Sequence, residues 1–209
     1  MEEYILRTIR AYDDAKKFED TTKHYVPESE LNEFIDLLRA SPRVLDAGCA
    51  FGRDTDYFKR REISVEGIDL SEALIERARE LMPGIKFKVA DVRDTGFEDE
   101  CFDGIWCYAT LLHLKNEDIS KALAEFHRIL KPDGKLAVSF KKGVGSRLFV
   151  EHTSSDSERF FNFQTIETLI PLLQKNGFQQ HSWHYYNELE KFRDSTRDID
   201  WLFSISSKI

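Results

Sequence analysis

Three aspartates close three successive apolar runs: Asp46 in RVLDAGC, Asp69 in VEGIDLS and Asp91 in FKVADVR. A carboxylate accepts hydrogen bonds from hydroxyl, amino and ammonium groups. Where the strands of an open α/β sheet end, such groups converge on one crevice. Between the first two acids lie Gly48 and Gly52, which let a loop turn tightly and approach a ligand with no Cβ in the way. Three ligand classes compete for such a loop. A nucleoside-triphosphate loop ends in Gly-Lys-Ser/Thr, whereas this chain reads Gly52-Arg53-Asp54. A dinucleotide loop follows G-x-G-x-x-G, but Ala50 and Arg53 stand where its second and third glycines belong, and Asp46 and Asp54 would repel a pyrophosphate. The third class is a cationic nucleoside without phosphates, which the same acids would attract.

S-adenosylmethionine, with a sulfonium and an ammonium charge, fits that class. Asp46 would help to hold the ammonium, directly or through water. Asp69, 21 residues beyond Gly48, would accept two hydrogen bonds from a ribose diol. Asp91 would accept from the adenine amino group while the N–H of Val92 meets a ring nitrogen. Each acid also has a duller reading. Asp46 could cap its own loop, and Asp91 could be a turn residue. Asp69 could cap the following helix, although Ser71 already suits that task. Asp54 could be a first-turn helix acid favoured by the helix dipole.

The elements that must position these residues alternate short β-type runs with helical patterns, the sign of a parallel sheet with crossover helices. Residues 1–20 read as helical, with Tyr4, Ile5, Tyr12 and Phe18 as buried contacts. In Pro27–Arg39, Leu31, Phe34, Ile35 and Leu38 fall on one helix face. Strands are expected at Arg43–Ala47, Ser64–Asp69, Lys86–Ala90, Phe102–Tyr108, Lys135–Phe140, Phe178–Asn187 and Trp201–Lys208. Helices are expected at Arg53–Arg61, from Ser71 to the Pro83-Gly84 turn, at Glu117–Leu130 and at Thr165–Asn176, the last closed by Gly177. A polar stretch from Lys141 to Arg159 is too long for an ordinary connection and reads as mobile or functional. Its Lys141, Lys142, Arg147 and Arg159 would attract an anionic acceptor, or it is a solvated loop. Phe160, Phe161 and Phe163 are expected to pack under the helix that follows.

Taken in order, VLDAGCAFGRD, VEGIDLSEALIERAR, FKVADVRD, FDGIWCYATLLHL and HRILKPDGKLAVSF resemble the sequential motifs of class I S-adenosylmethionine-dependent methyltransferases. The resemblance is close over about residues 40–142 and reaches the last two strands. It implies an α/β fold, a Rossmann-like three-layer sandwich whose seven-stranded, mostly parallel sheet runs 3-2-1-4-5-7-6 with strand 7 antiparallel. One domain would span residues 1–209: a helical cap over 1–40, a cofactor-binding core over 41–142, and a loop with an acceptor-side half over 143–209. It assigns Asp46, Gly48, Cys49, Gly52, Asp54, Asp69, Leu70, Asp91, Val92 and Tyr108 to S-adenosyl-L-methionine. Ala50 stands where the family has glycine, a departure tolerated if φ there is negative.

The segment after the fourth strand usually borders the methyl donor in this fold, which makes Tyr108, Ala109 and His113 candidates to touch cofactor or acceptor. His113 is the candidate general base and Tyr108 a second catalytic candidate; a structural histidine is the alternative. His127 reads as structural or exposed. His24, His152, His181 and His184 show no metal-ligand spacing, and no metal is expected. Methyl transfer is an in-line displacement that needs alignment, and a base only if the acceptor must lose its proton early. The acceptor is expected to be a small molecule methylated on O or N, near Tyr4, Tyr12, Tyr25 or the long polar stretch. That stretch also resembles the corresponding part of tRNA wobble-uridine methyltransferases. The formal net charge of -8 argues against an unaided grip on RNA. A non-catalytic S-adenosylmethionine-binding protein would carry the same cofactor motifs. CYATLL offers no Asn-Pro-Pro-Tyr motif for protein or DNA amines.

The 209 residues suffice for a real core, and 41% hydrophobic with 33% charged residues is a globular mix. Cys49, Cys101 and Cys107 form no C-x-x-C pair and read as free thiols in a reducing compartment. MEEYILRTIR lacks the apolar stretch of a secretory signal, and no run reaches the ~18 residues of a membrane span, so a cytoplasmic location is expected.

Overall fold

The chain begins with helices α1 (Glu3–Arg10), α2 (Ala15–Thr22) and α3 (Glu28–Asp36). It continues through β1 (Arg43–Ala47), α4 (Arg53–Arg60), β2 (Ser64–Asp69), α5 (Glu72–Leu81), β3 (Lys86–Val89) and β4 (Phe102–Cys107). A 3-10 turn at Leu111–His113 leads to α6 (Asn116–Ile129) and β5 (Leu130–Lys141). Then come β6 (Ser146–Val150), β7 (Glu158–Asn162), α7 (Ile166–Lys175), β8 (Phe178–Asn187), α8 (Glu188–Lys191) and β9 (Asp200–Lys208). This computed structural model describes residues 2–150, 158–192 and 195–209. The middle of the long polar stretch, with His152, lies outside the described residues.

Seven strands form one sheet in the order β3-β2-β1-β4-β5-β9-β8. The first five pair in parallel and β9 runs antiparallel to both its neighbours. The expected layout therefore holds, with β8 and β9 as the expected sixth and seventh strands. Strand order reverses between β1 and β4, so the loops leaving these two strands diverge and open a crevice. Every residue of β4 is buried, as befits a central parallel strand covered on both faces. One face packs Leu123, Phe126 and Leu169 of α6 and α7 onto Ile105, Leu136 and Val138. The other packs Leu31, Phe34 and Phe58 of α3 and α4 around Trp106.

Local chemistry explains several boundaries. The Ser71 hydroxyl accepts the Leu74 amide at 3.4 Å and caps α5. Gly177, at φ +80°, ends α7. The helical N-terminus is two helices, because Asp14 leaves helical backbone and its side chain caps α2 by accepting the Lys17 amide.

One expectation is corrected and one is extended. The ends of the polar stretch pair as an antiparallel ribbon, Ser146 opposite Asn162 and Leu148 opposite Phe160. Phe161 shares a buried cluster with Ile166, Leu169 and Leu173 of α7, and Phe160 and Phe161 also have partners elsewhere. They reach back across the ribbon, Phe160 onto the Tyr4 ring at 4.9 Å and Phe161 onto His113 at 4.9 Å.

Candidate active site

The β1–α4 loop turns on left-handed backbone at three positions: Gly48 (φ +83°), Ala50 (φ +50°) and Gly52 (φ +89°). The condition on which alanine replaces glycine without cost, a negative φ, is thus not met at Ala50. The strain is held by Asp69 at the tip of β2, whose Oδ2 accepts the Ala50 amide at 3.0 Å. Its Oδ1 accepts the Ser71 amide at 2.9 Å, so one carboxylate ties together the loops after β1 and β2. Gly48 lies under Thr110: a Cβ there would stand 2.0 Å from the threonine Oγ1.

Beneath these loops is a cleft of ≈ 1090 Å³, its open mouth included. Among the residues lining it are Asp46, Gly48, Cys49, Asp54, Asp69, Leu70, Asp91, Val92, Tyr108 and His113. Gly52, expected among them, does not line it. That residue turns the chain into α4, and its Cα faces Met82 and Phe87 instead.

The cleft is acidic. Asp46, 2% exposed, accepts the Thr55 hydroxyl at 2.6 Å. Burial, with Asp54 close by, pushes its carboxyl up to about 8. Asp54 accepts from Trp106 Nε1 at 2.9 Å and pairs with Arg53 at 2.7 Å. Burial also raises Asp69, against three backbone N–H groups that favour its ionised form. Asp91 is gripped by Arg93 at 2.8 Å, and Arg93 reaches on to Asp118 at 3.1 Å. A cationic group in this cleft would relieve the strain on Asp46, whereas a phosphate would add to it. The donor set therefore fits S-adenosylmethionine and opposes a dinucleotide.

A second chamber of ≈ 620 Å³ adjoins the first. Tyr12, Phe18, Arg53, Tyr108, Ala109 and His113 line both. His113 is fixed there. Its Nδ1 lies 2.8 Å from the Phe160 carbonyl oxygen, which only accepts, so Nδ1 carries the proton. Nε2 is then the acceptor for the Tyr12 hydroxyl at 3.0 Å, and Tyr12 in turn accepts from Arg159 at 2.7 Å. The Tyr108 ring stacks on Trp106 at 5.5 Å, and its hydroxyl hydrogen-bonds that of Tyr186. Burial raises the Tyr108 phenol above its ordinary value, so it stays protonated.

The residue-level match now has an independent counterpart. Residues 44–134 match the family model described as a methyltransferase domain. The fold around this domain is that of solved S-adenosylmethionine-dependent methyltransferases. The chain is 32% identical to the phosphoethanolamine N-methyltransferase of Triticum aestivum over 153 residues, 70% of this chain and 30% of that protein. With the malonyl-[acyl-carrier protein] O-methyltransferase of Salmonella typhimurium it shares 33% identity over 94 residues, 45% of this chain and 37% of that one. It thus spans about a third of these curated relatives. Its fold matches that of the Burkholderia thailandensis 1,6-didemethyltoxoflavin-N1-methyltransferase, a structure with bound 1,6-didemethyltoxoflavin and S-adenosylhomocysteine. The TM-score is 0.72 at 22% identity, over 100% of this chain and 91% of that one.

Several lining residues of the two chambers escape sequence reasoning. Glu188, Arg197 and Trp201 join the second chamber, with Trp201 Nε1 donating to Glu188 at 2.9 Å. No local motif marks them. Of the four cations expected to draw an anion, Lys141 and Arg159 line the chamber. Lys142 instead pairs with Asp200 at 3.3 Å, and Arg147 lies over the Phe163 ring at 4.9 Å. His184 hydrogen-bonds Glu30 at 2.9 Å, and His127 lies 3.1 Å from the Ile209 carbonyl. Among the described residues no helix is long and apolar enough to cross a membrane.

Proposed function

We propose that this methyltransferase transfers a methyl group from S-adenosylmethionine to an oxygen or nitrogen of a small molecule. The observation that carries the reading is the acid-lined cleft that shares a wall with a second, aromatic chamber. The relatives support it by their names, which refer to phosphoethanolamine and malonyl-[acyl-carrier protein], and the Burkholderia structure holds a small heterocycle.

When bound, the cofactor supplies a methyl carbon made electrophilic by its sulfonium. The chain's own residues bind, orient and move a proton. Asp69 accepts from the ribose hydroxyls with the lone pairs its backbone contacts leave open. Asp91 and the Val92 amide hold the adenine edge, and Asp46 draws the ammonium. Gly48, Cys49, Leu70 and Asp54 complete the walls. Tyr108, flat against Trp106, closes the boundary between the chambers and keeps water from the reacting atoms.

His113 acts as the proton acceptor. Its tautomer, fixed by the Phe160 carbonyl, turns a basic Nε2 toward the Tyr12 hydroxyl. A proton leaving an acceptor at the shared wall would pass to Tyr12 as Tyr12 passes its own to His113. The free cysteines Cys49, Cys101 and Cys107 favour a reducing compartment, hence the cytoplasm.

The test is transfer of labelled methyl groups into a cell extract split into small-molecule, RNA and protein fractions. Label in the small-molecule fraction is the expected result. Label in RNA alone would overturn the choice of acceptor, and tight cofactor binding with label in no fraction would overturn catalysis.

A further inference from the structure

The described residues that line the two adjoining chambers differ in their charged side chains. Asp46, Asp54, Asp69 and Asp91 line the first, where Arg53 is the one lysine or arginine among the described lining residues. In the second, four cations line the wall with one acid, Glu188, again among the described residues. Glu188 is engaged: Arg197 Nε donates to it at 2.6 Å and the Ser195 hydroxyl at 2.8 Å. Arg53 is engaged with Asp54. The other two cations, Lys141 and Arg159, which also keep partners of their own, line only the second chamber.

Both are deeply buried, Lys141 3% and Arg159 2% exposed. They come from different elements, the end of β5 and the start of β7, and flank one ring: Lys141 Nζ lies 4.1 Å and the Arg159 guanidinium 5.3 Å from the Phe161 centroid. Burying a cation costs several kcal/mol before its partners compensate. Two lysine or arginine side chains brought to one aromatic wall of a cavity are an expensive arrangement for packing alone. They are a good one for an entering anion, which joins or replaces the partners they already keep. The Arg159–Tyr12 hydrogen bond of 2.7 Å then connects the anion end of the chamber to the proton path at His113.

We propose that the acceptor carries a carboxylate or phosphate that docks between Lys141 and Arg159, with its methyl-accepting O–H or N–H at the wall shared by Tyr12, Tyr108 and His113. This rests on the methyltransferase reading and adds the class of acceptor. The charge bias across the shared wall would sort the two ligands, cation to one chamber and anion to the other, before any reaction occurs.

The test uses defined probes. Protein with and without S-adenosylhomocysteine is titrated with phenylacetate, phenyl phosphate, the neutral phenylacetamide and 2-phenylethylammonium. At least one anion is expected to bind about tenfold or more tighter than the amide, with the ammonium weakest. Which anion binds tighter tells carboxylate from phosphate. Lys141→Gln and Arg159→Gln should each reduce the anion-over-amide ratio, with affinity for S-adenosylhomocysteine kept within about twofold. Equal binding of anion and amide, binding of neither anion, or a ratio unmoved by both substitutions would overturn the proposal. The anion-to-amide comparison is read in both states. Failure of S-adenosylhomocysteine to bind therefore rejects the methyltransferase reading and leaves this one to stand or fall on its own ratio.

Discussion

The Tyr12 hydroxyl donates to His113 Nε2 across 3.0 Å, joining the α1–α2 connection to the turn after β4. The pair sits on the wall common to both chambers. Tyr12→Phe keeps the ring, which packs on Phe18 at 4.9 Å, and removes only the hydroxyl. If this hydroxyl relays the acceptor's proton, kcat falls by about 10²-fold while cofactor affinity stays unchanged. Steady-state kinetics with cofactor calorimetry checks this; an unchanged kcat would remove Tyr12 from the proton path.

Gly48 and Ala50 share a left-handed conformation but predict opposite outcomes. Gly48→Ala adds a Cβ that meets the Thr110 side chain at 2.0 Å. Together with the backbone strain this should cost about 2–4 kcal/mol. Ala50→Gly relieves about 1–2 kcal/mol of αL strain against an entropy cost of about 0.5–1 kcal/mol, so it should stabilise slightly. Denaturant unfolding of the two variants reads both signs. Stabilisation by Gly48→Ala, or marked destabilisation by Ala50→Gly, would contradict the loop geometry.

Asp46 makes the free protein sensitive to pH. Burial raises its folded-state carboxyl from the ordinary 3.8 to about 8, so the folded state holds this proton more tightly than the unfolded chain. Stability from this group is therefore lost as pH rises from about 4 to about 8. Asp46→Asn should raise stability by about 1–3 kcal/mol at pH 8 and by little at pH 4. Thermal melts of both proteins across that window test the sign. Equal pH slopes would mean that Asp46 is ionised in the free cleft without penalty.

How much of this was legible in the chain depended on sequence distance. The acids at the strand ends and the glycine turn are read from neighbours, because a strand followed by a tight turn fixes where its last side chain points. Ser71 and Gly177 announce helix ends for the same local reason. The positive φ at Ala50 is not legible locally, since alanine itself prefers negative φ and the Asp69 carboxylate, 19 residues away, holds the strained form. Apolarity correctly marked Phe160 and Phe161 as buried but could not name their partners. The β6–β7 ribbon was hidden because SRLFV and its partner sit among Gly, Ser and charged residues and β6 is mostly exposed. The second chamber is assembled from Tyr12, Lys141, Arg159 and Glu188, whose meeting no motif records.

Glu30 anchors the acceptor side from outside. It is buried, accepts from Ser29 and His184 at 2.9 Å, and pairs with Lys191. Lys191 lies 4.3 Å over Tyr186, the partner of Tyr108. Although burial opposes it, the hydrogen bonds and charge of His184 and Lys191 hold Glu30 down to about 2. Its contribution is full above the ordinary 4.5 and is lost as pH falls toward 2. Glu30→Gln should cost about 3 kcal/mol at neutral pH and much less at pH 3. A cost independent of pH would assign the loss to packing instead.

The central claim is that Asp69 and its neighbouring acids hold an adenosine-based cation in the cleft. Calorimetry of S-adenosylhomocysteine and its 2′,3′-dideoxy analogue, on wild type and Asp69→Ala, tests it most directly. The wild type should bind the parent compound about 10–100-fold tighter than the analogue, and the variant should lose that preference. No heat of association with the parent compound, or a preference that survives Asp69→Ala unchanged, would contradict the account.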